Sequence, residues 1–185
     1  MIFNKHSELE GLHAFLGASQ YHWINYDIDK LESVYRNHLA TLKGTELHEF
    51  ASFAIRLRQR LKGTKQTLNM FVNDAISYMM QSEQVLYYSP NCFGTADAIS
   101  FRNNFLRIHD LKTGKTPASM NQLLIYSALF CLEYDYDPND IKTELRIYQN
   151  DKVIIYEPEP REIEHIIGLI KMFDNRINEI KEEEL

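Results

Sequence analysis

GTADAISFRNNFLRIHDLKTGKTPASMNQLLIY, residues 94–126, decides how the chain is read. Thr95–Phe101 and Phe105–Leu111 are short runs rich in β-branched and aromatic residues, the composition of strands. Asn103 and Asn104 between them both tolerate positive φ, so the two runs predict a hairpin with a two-residue turn. In that register Arg102 faces Phe105 and Asp97 faces Asp110. Lys112 lies two residues past Asp110 and points the same way on a strand. Gly114 and Pro117 punctuate a loop. A helix from Ala118 to about Glu133 then carries Gln122 and Tyr126 at i and i+4, on one face.

Two carboxylates set side by side repel unless a cation holds both. Hard oxygen ligands suit Mg²⁺ or Mn²⁺. An ammonium at Lys112 can orient an attacking water and offset charge developing in the transition state. Asp97 and Asp110 fit two surface acids equally well when taken alone, and D-x-K alone is a common spacing. His48 offers a nitrogen ligand from a preceding helix, although its place beside an apolar stripe also fits simple packing. Glu46, Glu49 and Glu83 are further acids for a second metal; glutamates on helices usually face solvent, so they rank below the others. Arg56, eight residues past His48, shares its helical face and can meet a phosphate backbone. Arg58 and Arg60 point elsewhere, while Arg102, Arg107, Lys115 and Arg146 are expected nearer the acids. Tyr21, Trp23 and Tyr26 either stack on unpaired bases or pin the N-terminal segment to the core.

Outward from this stretch, the N-terminal half is helical. Ser7 and Glu10 have capping-box spacing for a helix over 7–16, and Ala18-Ser19-Gln20 reads as a break. A helix over about Asp29–Leu42 is expected to stop at Gly44. Another starts at Thr45 and runs to about Leu61, with Leu47, Phe50, Ala51, Ala54, Leu57 and Leu61 inward. A further helix follows Thr64-Lys65. The period then changes: Val85–Ser89 precedes the hairpin as a strand. After the Gln122 helix come strands Thr143–Gln149 and Val153–Glu157, joined by Asn150-Asp151. The last helix, Arg161–Lys181, is expected to bury Ile163, Ile166, Ile167, Ile170, Phe173 and Ile177. Helices, three strands, helix, two strands, helix make a mixed α/β sandwich.

The chain has 185 residues, 44% of them hydrophobic, enough for one domain with a sizeable core. No apolar run reaches the length of a membrane span, and charges interrupt the N-terminus where a signal peptide needs its apolar region; a cytoplasmic protein without membrane attachment is expected. Its two cysteines, Cys92 and Cys131, exclude a four-cysteine iron–sulfur cluster within the chain. The net charge of −6 argues against a purely electrostatic nucleic-acid binder, though a bound metal adds positive charge that this count omits.

In combination these motifs resemble a known family. His48 within GTELH, GTAD ending at Asp97, DLKTG from Asp110, and Q-x-x-x-Y at Gln122–Tyr126 are similar to the RecB-like branch of the PD-(D/E)XK nucleases. LGAS at Leu16–Ser19 also looks like that branch, and ELRIYQ at Glu144–Gln149 resembles phage-encoded members. The resemblance implies a restriction-endonuclease-like fold, a mixed central sheet flanked by helices. It implies one nuclease domain over 1–185, with 1–43 as a helical extension packed on it. His48, Asp97, Asp110 and the carbonyl of Leu111 would be metal ligands, and Lys112 the catalytic lysine. Gln122 and Tyr126 would support Lys112 and the DNA strand. The implied activity is Mg²⁺- or Mn²⁺-dependent hydrolysis of DNA, as an exonuclease on ends or single strands in phage or recombination processing. Phage recombination or replication proteins would be partners, in the host cytoplasm if the chain is phage-encoded, with oligomerisation left open. A structure-selective endonuclease and a non-catalytic DNA- or protein-interaction module are the alternatives.

Overall fold

The computed structural model describes residues 4–184. They form two compact units, divided after Leu42. The first holds 3-10 segments at Ser7–Leu9 and Ala18–Asn25 and the beginning of helix α1 (Ile28–Arg56). Inside it Phe15 packs edge-on against Tyr35, and the Trp23 indole N–H donates to the Gly17 carbonyl. The helix expected over 7–16 shrinks to that single first turn. Gly11 takes a positive φ, and Leu9, Leu12 and Leu16 stay exposed, so no packed face sustains a short helix in water. The break expected at Ala18–Gln20 is found at Gln20, whose φ of −109° and ψ of 49° kink the second 3-10 segment.

Helix α1 runs unbroken through Gly44 and ends at Arg56, where a stop and then an end near Leu61 were expected. Glycine there serves close approach. A Cβ on Gly44 would lie 2.8 Å from Thr113 Oγ1. Arg58, at φ 55°, takes the left-handed conformation that commonly closes a helix. The buried stripe of α1 consists of Ala51, Ala54 and Ile55 with Ser52, while Phe50 and Leu57 face outward. Small residues on this stripe bring the helix close to what it covers.

The second unit continues with α2 (Thr67–Ser77), β1 (Gln81–Ser89), β2 (Cys92–Arg102), β3 (Phe105–Leu111), α3 (Asn121–Tyr134), β4 (Lys142–Gln149), β5 (Lys152–Tyr156) and α4 (Pro160–Glu183). The five strands form one mixed sheet in the order β1-β2-β3-β4-β5. Only β3 and β4 pair in parallel, joined by the α3 crossover. Asn103-Asn104 and Asn150-Asp151 all have positive φ, the turn chemistry of tight hairpins. One core lies between the sheet and α3 with α4, around Leu106, Ile108, Leu123, Leu129 and Ile147. The other lies on the opposite face beneath α2 and the end of α1, around Ala54, Ile55, Phe71, Val72 and Tyr148.

Polar groups fasten the periphery. Asp151 accepts from the backbone N–H and the hydroxyl of Thr67, tying the β4–β5 turn to the start of α2. Asp174 on α4 accepts from Ser89 and Asn91 at the β1–β2 turn. The outer half of α4 meets that turn through such polar bonds, which leaves Phe173 and Ile177 exposed rather than buried as expected. Among the described residues no helix is long and apolar enough to cross a membrane.

Candidate metal centre

The β2–β3 ladder runs from Arg102↔Phe105 to Ala98↔His109 and ends one step before Asp97 and Asp110. The strands part there, and the Leu111 N–H donates to Asp97 Oδ2 at 2.8 Å instead of to a strand carbonyl. On the other side of β2, Ser82↔Ala98 and Gln84↔Ala96 flank a rung that sets Glu83 opposite Asp97. Both strands roll at this rung. Ser82 bonds Ser52 of α1 and Ala98 joins the α2 core, yet Leu86 and Ala96 belong to the α3 core. Glu83 has φ 53°, a left-handed conformation that costs a non-glycine residue about 1–2 kcal/mol. Strain of this kind gathers at functional sites.

Three elements converge on the rung. His48 Nδ1 of α1 lies 3.4 Å from Asp97 Oδ2. Ligand atoms of His48, Glu83 and Asp97 all lie within 4.8 Å of one another. Asp110 is 1% exposed. The Lys112 ammonium donates to Asp110 Oδ1 at 3.1 Å and to Gln122 Oε1 at 2.8 Å. Asp110 Oδ2 is 3.1 Å from the same ammonium but off its hydrogen-bonding direction, so this buried oxygen carries no hydrogen bond. The Gln122 amide in turn donates to the Tyr126 hydroxyl at 2.9 Å. Tyr126 lies against Gly94, where a Cβ would approach its ring to 2.8 Å. Glycine on β2 thus lets α3 deliver Tyr126, which holds Gln122, which holds Lys112.

The electrostatics are those of a site short of positive charge. Burial and the neighbouring Asp97 raise the Asp110 pKa, and Lys112 offsets this only in part. Burial and Asp97 also raise Glu83. The hydrogen bond to Asp97 raises His48 against the opposing effect of burial. Each shift favours the protonated form, the direction expected where clustered carboxylates lack a compensating positive charge. One imidazole nitrogen and several carboxylate oxygens, with a buried Asp110 oxygen beside them whose partner is the Lys112 ion pair, are a donor set that fits a small hard cation.

The structure therefore brings His48, Glu83 and Asp97 together as a metal-ligating group. Asp110 stands beside that group rather than in it, ion-paired with Lys112 and close enough for its charge to act on His48. Lys112, Gln122 and Tyr126 follow in a hydrogen-bonded chain. Leu111 takes part through its backbone, its side chain being buried in the α2 core. Arg56 is exposed at the end of α1, and its charge acts on Glu83. Glu46 and Glu49 are exposed on α1 and stand outside the metal-ligating group. Glu83, ranked with them by sequence, stands inside it. Turn chemistry alone misses it: a tight turn at Pro90-Asn91 pairs Ser89 with Cys92 and would set Glu83 across from Ala98, and only the irregularity between Tyr87 and Ser89 shifts the register by one to Asp97.

The arginines expected near the acids are engaged elsewhere. Arg146 pairs with Asp74 and Glu144 under α2, Arg107 pairs with Glu144, and Arg102 contacts Met79 at the far end of β2. Arg146 also bonds Tyr78 in a buried network behind the site. There Tyr148 donates to Asp74 Oδ2 at 2.7 Å. Its single proton being so used, Tyr148 can only accept from His109 Nδ1 at 3.2 Å. Burial holds the His109 pKa well below its ordinary value, so the ring is neutral and its Nε2 bears the lone pair.

No family model matches the chain, and no curated protein or solved structure matches it significantly. The constellation defines a class only at the level of its chemistry: an α/β domain with a mixed five-stranded sheet and a candidate acidic metal site at strand ends.

Proposed function

We propose that the chain is a metal-dependent deoxyribonuclease of the PD-(D/E)XK type, hydrolysing DNA phosphodiester bonds as an exonuclease on ends or single strands. One observation carries this reading. Asp97 and Asp110, at the parting ends of adjacent strands, are accompanied by an ammonium that Asp110 and Gln122 hold from two sides. On that ground we read the mixed sheet and its flanking helices as a restriction-endonuclease-like arrangement, and the ion as Mg²⁺ or Mn²⁺.

His48, Asp97, Asp110 and the Leu111 carbonyl would hold the cation, with Glu83 as a further carboxylate. A bound divalent cation polarises a phosphate and acidifies water. The remaining work falls to the chain's own groups. Lys112 orients the attacking water and stabilises charge developing on the phosphate oxygens. Gln122 fixes the ammonium by accepting one of its protons, and so leaves another free to face the substrate. Tyr126 fixes the Gln122 amide and thereby its carbonyl. Arg56 meets a neighbouring phosphate.

The test is loss of end-labelled linear DNA and of circular single-stranded DNA, each with Mg²⁺, with Mn²⁺ and with chelator. Cleavage of linear DNA that needs metal, and that falls by about 10²–10³-fold in Lys112→Ala, is the expected result. Circles left intact make the enzyme an exonuclease, whereas circles cut make it an endonuclease. Equal, metal-insensitive activity in wild type, Asp110→Ala and Lys112→Ala would overturn the assignment.

A further inference from the structure

A strip of side chains leads away from the metal centre along one face of the β1–β2 hairpin. Past the Glu83/Asp97 rung, Leu86 and Ala96 turn into the α3 core. Strand alternation then puts Val85, Tyr87, Phe93 and Thr95 on the opposite face. Val85 stands across from Thr95, and Tyr87 across from Phe93. All four are exposed, Phe93 at 63% and Tyr87 at 46%. The two rings stack with centroids 6.4 Å apart and planes 28° from parallel. A solvent-facing aromatic pair at a sheet edge adds nothing to the core and is a liability for solubility, so it needs another reason.

The position supplies one. Tyr87 lies four residues beyond Glu83, about 13 Å along the strand. A stacked nucleic-acid strand rises about 3.4 Å per nucleotide, so the rings stand about four nucleotides from a phosphate at Asp97. None of the hairpin residues between the rung and the rings is acidic; the carboxylate at the rings is Glu133 of α3, which accepts from the Tyr87 backbone N–H at 2.8 Å on the strand edge. Thr95 places an exposed hydroxyl two residues from Asp97, where it can donate to a phosphate oxygen. Aromatic faces bind base faces, which are accessible only in unpaired strands.

We propose that this hairpin face is a track for an unpaired nucleic-acid strand, with bases stacked on Tyr87 and Phe93 and a phosphate held by Thr95. The proposal rests on the nuclease reading and names its substrate: a single strand, entering the metal centre along β1 and β2.

The test uses full-length protein with Ca²⁺ in place of Mg²⁺ and a single-stranded oligonucleotide carrying 2-aminopurine at successive positions. Wild type is expected to quench the probe about four nucleotides from one end. Tyr87→Ala/Phe93→Ala is expected to abolish the quench and to weaken single-strand binding by about 10–100-fold. Tyr87→Trp retains it, and Mn²⁺ affinity and duplex binding stay unchanged. Equal single-strand affinity and quenching in wild type and the double variant would overturn the track. So would a wild-type dimer that the double variant dissociates with single-strand affinity per chain unchanged, since the face would then be an interface between copies. Cleavage by wild type without any effect of the double variant sinks the track alone. Ring-dependent single-strand binding without cleavage under any metal sinks the nuclease reading alone.

Discussion

Replacing Gly94 by alanine tests the positioning chain without touching a metal ligand. A Cβ there would sit 2.8 Å from Tyr126 Cε1, against an ordinary carbon–carbon separation of about 3.5–4.0 Å. Tyr126 is 9% exposed, and its ring cannot swing into solvent without leaving the α3 core. The strain is therefore relieved by moving the ring, or β2, by about 0.7–1.2 Å. The bond from Gln122 to the Tyr126 hydroxyl is 2.9 Å long, and a shift of that size breaks it. Overpacking of this kind costs about 1–3 kcal/mol of stability. A misplacement of about 1 Å near the chemistry costs up to about 10²-fold in rate. Gly94→Ala should then lower the urea-unfolding free energy by that amount and kcat by about 10–100-fold. Mn²⁺ affinity, measured by titration calorimetry, should stay within about twofold, because Tyr126 is no ligand. Tyr126→Phe removes only the hydroxyl, and should lower kcat with little overpacking cost. Full activity in both variants, after a confirmed loss of stability in Gly94→Ala, would refute the role given to the Tyr126–Gln122–Lys112 chain.

Tyr148→Phe leaves His109 Nδ1 without its partner and removes a hydrogen bond from Asp74. Chemical denaturation should show a loss of about 1–3 kcal/mol, and an unchanged midpoint would contradict the network. His48, Glu83 and Asp110 all have raised pKa values, so the folded, metal-free chain keeps protons that the unfolded chain has released. The stability from these groups therefore falls as pH rises, first for the carboxyls above about pH 4 and then for His48 above about pH 6.5. Because a cation replaces those protons, the Tm increase on adding Mn²⁺ should be larger at about pH 8 than at about pH 5; an increment independent of pH would count against the site. Burial pushes the Cys131 thiol up to about 12 and leaves it 3% exposed. Alkylation at neutral pH should reach it only after unfolding, as mass spectrometry of pulse-labelled protein would reveal.

The acids were placed from sequence because a local device fixes them. Asn103 and Asn104 both take the left-handed conformation, a two-residue turn sets the register, and that register carries Asp97 toward Asp110. The α3 pair was equally local, since Gln122 and Tyr126 lie one helical turn apart. What escaped was non-local. Glu83 sits in the polar run Gln81–Gln84, which lacks the apolar alternation of a strand, and its direction depends on both strands rolling at one rung. Gly44 breaks a helix by propensity, at about 1 kcal/mol. Its contact with Thr113 needs the loop after β3, which α1 precedes by more than fifty residues. Arg107 and Arg146 were expected nearer the acids; each is drawn off by a carboxylate from another element, Glu144 of β4 for Arg107 and Asp74 of α2 for Arg146.

The central claim is that Asp97 and Asp110 share one divalent cation. Titration calorimetry with Mn²⁺ on wild type, Asp97→Ala and Asp110→Ala tests it most directly. The expected result is binding to wild type and a loss of at least about tenfold in affinity from either substitution. Wild-type affinity retained in both variants would contradict it.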